Sequence, residues 1–182
     1  ALFQYRLINS PGFFFFFKTN HNNYLLTSWY ESKKKRYNNY FAILANNLQA
    51  SENGGIRDDK DYLNDPDFKD RFNIFTNLGG DEVSSRNFFS PSLATGNRYR
   101  EFTAIMRQQY DIGKKDSIVR DSIVIPLFYP RLRFEHTLQY NSNKYEFLDY
   151  AADSVYYKKN YDTTLSNPLD TVYLKDKWKE IT

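Results

Sequence analysis

The chain has 182 residues, 25 basic and 22 acidic side chains for a formal net charge of +3, 16 Tyr, 16 Phe, 2 Trp and no Cys. This is the length of one domain or of a piece of a larger one. The lack of cysteine excludes disulfide frameworks, Cys-ligated zinc and thiol nucleophiles, and so balanced an overall charge advertises neither nucleic acid nor anionic lipid as a partner.

Leu, Ile, Val and Phe supply about a quarter of the residues, above the roughly 20% ceiling of disordered chains. The longest apolar run is Phe13 to Phe17, far short of the ~18 residues that a membrane-spanning helix needs. Mean hydropathy is -0.73. That value does not separate a soluble protein from a membrane β-barrel, whose strands alternate lipid-facing and lumen-facing residues. The chain starts at Ala1 with no basic segment followed by an apolar one, so no targeting signal is visible.

Residues 2–8, 24–30 and 37–49 read as strands. Their alternation is blurred in the third, where Tyr40, Phe41, Ile43 and Leu44 put apolar groups on both faces. The basic stretch Lys33, Lys34, Lys35 and Arg36 suits a solvated hairpin turn between the last two, with lipid-headgroup binding as the alternative. Alternation then disappears over residues 52–97, too long for an ordinary connection and read as an organised loop. Within it residues 66–77 predict a helix: Asp65 caps, Pro66 takes the first position, Phe68, Phe72 and Phe75 share a face, and Gly79-Gly80 ends it. Such a helix must pack its Phe residues, either on the inner wall of a barrel or over one end of a β-domain.

Residues 100–112 form a clear strand. Phe102, Ala104, Met106, Tyr110 and Ile112 lie on one side, broken only by Gln108, and Glu101, Thr103, Ile105, Arg107, Gln109 and Asp111 on the other. Residues 131–141 form a second, with Leu132, Phe134, His136, Leu138 and Tyr140 opposed to Arg131, Arg133, Glu135, Thr137, Gln139 and Asn141. Both match the roughly 9 to 11 residues of a tilted strand crossing a bilayer. Between them the tandem Asp116-Ser117-Ile118-Val119 and Asp121-Ser122-Ile123-Val124 suggests that the strands run on as a hairpin. Asp153-Ser154-Val155-Tyr156 and Asp170-Thr171-Val172-Tyr173 read as further hairpin arms. The final residues 176–182 read as the start of a strand, so a fragment of a longer protein is expected.

The chemistry on offer is sparse. His21 and His136 are the only histidines, and no nucleophile-elbow, zincin or phosphate-loop motif occurs. His136, in the middle of the apolar face of its strand, reads as structural, and no enzyme activity is expected. Asp58, Asp59, Asp61, Asp65, Asp67 and Asp70 miss the EF-hand spacing, and Asp65 and Asp67 are better used at a helix start. No cofactor and no metal are expected.

The stretches KRYNNYFAILANNLQASENGGIRDDKDYLNDPDFKDRF, NRYREFTAIMRQQYDIGKKDS, PRLRFEHTLQYNSNKYEFLDY and DTVYLKDKWKEI resemble the putative outer-membrane porins of the Bacteroidota. The resemblance implies a barrel of many more strands than this chain supplies, exported with a signal peptide and inserted in the bacterial outer membrane. The expected fold is all-β: part of a single antiparallel transmembrane β-barrel domain over residues 1–182, with one short helix in a long loop. Phe102, Ala104, Met106, Tyr110, Leu132, Phe134, Leu138 and Tyr140 would face lipid. Glu101, Thr103, Arg107, Gln109, Asp111, Arg131, Arg133, Glu135, Thr137 and Gln139 would line the pore. The expected function is passive diffusion of small polar solutes, with outer-membrane lipid, those solutes and other outer-membrane proteins as partners. The alternatives are a non-conducting barrel scaffold of a secretion or surface complex, and a soluble β-sandwich binding glycan or protein.

Overall fold

The computed structural model describes residues 1–10, 18–79, 95–120, 123–165 and 169–182. Phe13 to Phe17 and Gly80 lie outside them. Six strands form one sheet in the order of the sequence: β1 (Leu2–Ser10), β2 (Thr19–Glu31), β3 (Tyr37–Ser51), β4 (Thr95–Arg120), β5 (Ile123–Asp153) and β6 (Leu169–Ile181). Every neighbouring pair is antiparallel. The all-β expectation holds, and the β-branched and aromatic residues that dominate these segments are those that pack well on a pleated surface.

The two clear strands are the middles of much longer ones. β4 has 26 residues and β5 has 31, against a usual strand of about 5 to 6. Their ladder continues past residue 112 to the pair Arg120 and Ile123, so they do run on as a hairpin. Beyond Tyr37 that hairpin has outrun β3.

The ladder slips once in this hairpin. Ile112 pairs with Leu132 but Gly113 pairs with Pro130, leaving Arg131 as the extra residue of a bulge. Arg131 is thus outside the regular alternation that places Arg133 and Glu135, a correction to its expected place beside them. Gly113 is required by close approach: a Cβ there would lie 2.0 Å from the Tyr129 carbonyl oxygen and 2.8 Å from Pro130 Cα.

The basic stretch is a tight turn, as expected. Lys35 takes φ 53, its N–H donates to the Ser32 carbonyl at 2.8 Å, and the Ser32 hydroxyl accepts from Arg36 and Tyr37. Arg36 stacks over Phe128 of the projecting hairpin, 4.7 Å from its ring centre.

The expected helix over 66–77 is corrected. Asp65 does cap, accepting from the Asp67 N–H at 2.9 Å, but only single 3-10 turns form at Pro66–Phe68 and Arg71–Asn73. The following backbone is drawn into other pairings: Ile56 bridges Thr76, and Asn77 and Leu78 donate to the carbonyls of Gly55 and Asn53. The loop closes around Tyr62, edge-on to Phe68 at 4.8 Å, and buried Ile74. The α-helix of the fold is α1 (Ser154–Tyr161), between β5 and β6. Asp153-Ser154-Val155-Tyr156 is therefore a helix start and not a hairpin arm, because the Asp153 carboxylate accepts from the Val155 N–H at 2.8 Å. Thr171-Val172-Tyr173 does lie in a strand, β6.

Gly113→Ala is expected to undo the hairpin beyond the bulge while sparing the rest. Hydrogen exchange of residues 114–120 and 123–129 should lose protection by about tenfold or more, with 100–109 unchanged; wild-type protection throughout would refute the close approach.

Candidate functional site

Because successive side chains in a strand point to opposite faces, the register assigns every strand residue to one of two surfaces. On one surface β4 places Phe102, Ala104, Met106, Tyr110 and Ile112, and β5 places Leu132, Phe134, Leu138 and Tyr140 in register with them. All eight residues expected toward lipid share this face. The pairing carries it on to Phe41, Ile43 and Ala45 of β3, Tyr24 and Leu26 of β2, and Phe3 and Tyr5 of β1. From Phe102 to Ile112 the face runs about 34 Å along the strand. At a tilt of about 40–45° that spans roughly 25 Å, the height of the apolar band of an outer-membrane barrel.

Aromatic rings gather towards both ends of this band. Tyr5 and Tyr24 pack at 4.8 Å between centres and Phe102 and Tyr140 at 6.2 Å. Tyr30 and Tyr37 pack at 6.3 Å towards the other end, where Tyr37 also pairs with Tyr110 and Tyr110 with Phe134. None of this is covered: Phe134 is 56% exposed, Leu132 52% and Leu138 41%. Among the described residues the buried hydrophobic side chains, Tyr62, Ile74, Leu78, Ala152 and Tyr157, lie in or beside the connections, away from the band. One polar row crosses the face, where Asn39, Gln108 and His136 stand side by side on β3, β4 and β5.

The opposite surface is a hydrogen-bonded polar wall. Glu101, Thr103, Arg107, Gln109, Asp111, Arg133, Glu135, Thr137 and Gln139 all share it, so of the residues expected to line a pore only Arg131 is displaced. Arg133 grips Asp111 through two bonds, Nε to Oδ1 at 2.8 Å and Nη2 to Oδ2 at 3.1 Å, the strong planar form of ion pair. Gln109 donates to the same carboxylate at 3.3 Å. Arg107 reaches diagonally to Glu135 at 2.9 Å, and Thr103 and Gln139 both donate to Asn141, each at 3.1 Å.

The wall extends over strands where sequence alternation gave no clear face. Asn46 of β3 donates to Glu101 at 2.8 Å and accepts from Asn23 of β2. His21 lies 3.5 Å from the same Asn46 oxygen, and Asn141 donates to Glu180 of β6 at 3.3 Å. Asn23, Asn46 and Glu180 are placed by the pairing register. Leu25, Ala42 and Leu44 share the polar surface with them and mask the pattern.

At one end the connections fold onto this polar wall. Phe147 and Val172, which face it, pack against a cluster of Leu78 from the long loop, Ala152, and Tyr157 of α1. Asp149, fully buried, anchors the junction: it accepts from the Tyr157 hydroxyl at 3.0 Å, from Thr95 at 3.2 Å and from the Ala151 N–H at 3.3 Å. The Tyr156 hydroxyl donates to the Gly54 carbonyl at 3.4 Å, tying α1 to the loop. Burial first, and then the Asp149 carboxylate, push the Tyr157 phenol above its ordinary value.

A phenol raised by folding contributes stability that is complete below its unfolded value of about 10 and is lost as pH rises through the folded value. The junction is thus expected to hold below pH 10 and to loosen above it, followed by hydrogen exchange in α1. Tyr157→Phe should remove that alkaline step and cost about 1–3 kcal/mol locally, because one oxygen of Asp149 is left unpaired; an unchanged alkaline step would show that another group governs it.

No curated protein and no solved structure matches the chain. The family model described as "Putative porin" matches residues 1–180, nearly the whole chain. A single antiparallel sheet of very long strands, apolar on one face and charged on the other, is the surface that such a family requires, and this chain belongs to the putative porin family.

Proposed function

We propose that these six strands form part of the wall of an outer-membrane β-barrel through which small polar solutes diffuse passively. The apolar face would meet lipid and the polar wall would line a wet lumen. What carries the reading is that the band from Phe102 to Ile112 is apolar but for one row, membrane-high and uncovered, while the same strands hold hydrogen-bonded polar and charged groups on the other side. In water an uncovered face of this size is a liability; in hydrocarbon it is the favourable arrangement, since the strand ladders satisfy the backbone.

In this reading the tight turn at residues 32–36 and the β4–β5 hairpin lie at the periplasmic end. The long connections 52–94 and 154–168 lie outside the cell, following the usual asymmetry of such barrels. The loop and α1, folded onto Phe147 and Val172, would narrow the path from that end. Paired charges such as Arg107 with Glu135 and Arg133 with Asp111 would set the field across the lumen. No catalytic step is assigned. The same covering of the polar wall favours, as a second reading, a closed scaffold barrel docked to other outer-membrane proteins.

These 182 residues contain no cysteine, so single labels report their orientation directly once any cysteine elsewhere in the full-length protein is replaced by serine. Single Cys residues placed from 132 to 141 in the full-length protein, spin-labelled in membranes, should be open to oxygen at even positions and to a water-soluble nickel complex at odd ones. Even positions closed to both reagents would mean a protein core and would overturn the barrel. In planar bilayers the protein should conduct, and Arg107→Gln should shift the permeability ratio toward cations by about twofold. An inserted protein without conductance would favour the scaffold.

A further inference from the structure

We propose that the apolar face ends in a binding site for the phosphate groups of membrane lipid headgroups, built from Arg98, Arg100, Lys144, Lys175, Lys177 and Lys179. The proposal rests on the barrel reading and adds a ligand to it.

The register stacks these cations in three rows across β4, β5 and β6. Phe102, Ser142 and Lys179 stand side by side, then Arg100, Lys144 and Lys177, then Arg98, Glu146 and Lys175. All face the same way as the apolar band, and the first row is level with the ring of Phe102 that closes it. Headgroups meet a barrel at the depth of such aromatic rings.

The charge is segregated by the strand itself. In Lys175-Asp176-Lys177-Trp178-Lys179-Glu180 every lysine falls on the band side and both carboxylates on the polar wall. On the band side of these rows six cations face one carboxylate, Glu146, an excess of five positive charges against +3 for the whole chain. Glu146 is already engaged, at 2.6 Å from Lys144 and 3.9 Å from Arg100, and it also accepts from the Tyr173 hydroxyl. Among the described residues Lys175, Lys177 and Lys179 are exposed and hold no ion pair.

The middle row is the deciding feature. Arg100, Lys144 and Lys177 are direct cross-strand neighbours, and like charges so placed destabilise a sheet. Glu146 offsets part of this repulsion through Lys144 and Arg100 but leaves Lys177 unpaired among the described residues, and an anion lying across the row would offset the rest. Three strands at about 4.8 Å and three rows at about 6.8 Å give a patch of roughly 10 by 14 Å, room for more than one phosphate. Lipid is the occupant that reaches the patch while its chains lie along the adjoining band.

The test uses the full-length protein in nanodiscs of phosphatidylcholine containing a minor fraction of diphosphoryl lipid A, with lipid retained after detergent extraction counted by native mass spectrometry. The wild type should retain lipid A over phosphatidylcholine. K175Q/K177Q/K179Q should lower that retention by about tenfold or more, and K177Q alone severalfold. K33Q/K34Q/K115Q, which removes three exposed cations at the opposite end of the sheet, should leave it within about twofold. Equal retention by wild type and both triple variants would overturn the site. A spin label at position 138 keeps the two failures apart: a label open to oxygen without lipid selectivity removes only this proposal, and a label closed to oxygen removes the barrel with it.

Discussion

Everything in this sheet depends on one constraint: backbone hydrogen bonds link six antiparallel strands in an almost unbroken register, so the parity of a residue decides which solvent it meets. A slip of one position would turn Phe134 and Leu138 to the side of Arg107 and bring Arg133 and Glu135 into the apolar band. The bidentate grip of Arg133 on Asp111, the reach of Arg107 to Glu135 and the packing of Phe102 on Tyr140 each report the same register. Where the register does change among the residues of the β4–β5 ladder, at Gly113, the chain is already beyond the end of β3. The bulge therefore leaves the β3–β4 pairing undisturbed.

Legibility in the sequence followed how nearly each strand separates its two environments. Residues 100–112 and 131–141 declared both faces because only Arg100, Ile105, Gln108 and His136 depart from alternation. β3 did not, because Ala42 and Leu44 lie on the polar wall, Leu44 opposite Leu25 of β2, while Phe41 and Ile43 hold the band, so apolar residues occur on both sides. Its assignment needed the pairing, which local composition does not carry. The full lengths of β4 and β5 were legible only as a hint, through the tandem repeat at their tips.

Misreadings came from places where backbone geometry outweighs residue preference. A cap, a proline and three phenylalanines at helical spacing favour a helix over 66–77, yet the return of Thr76, Asn77 and Leu78 to the start of the loop leaves only 3-10 turns. Asp153-Ser154 looked like the arms found elsewhere, but its carboxylate turns back on the Val155 N–H and starts a helix. Arg131 looked equivalent to Arg133 because a bulge has no side-chain signature; it depends on a glycine 18 positions earlier that permits two backbones to touch.

The sequential strand order also ranks the sheet's interfaces by the cost of closing them. β4 and β5 share the longest ladder and are joined across Arg120 and Ile123, so little chain entropy opposes their zipping, and β2 with β3 follow through a tight turn. Uniting these two hairpins requires closure of the 52–94 connection. That penalty grows only with the logarithm of loop length, and the loop's own bridge and buried residues shorten the free chain. The insert that covers the polar wall is thereby also the clasp by which two independently formed ribbons become one surface.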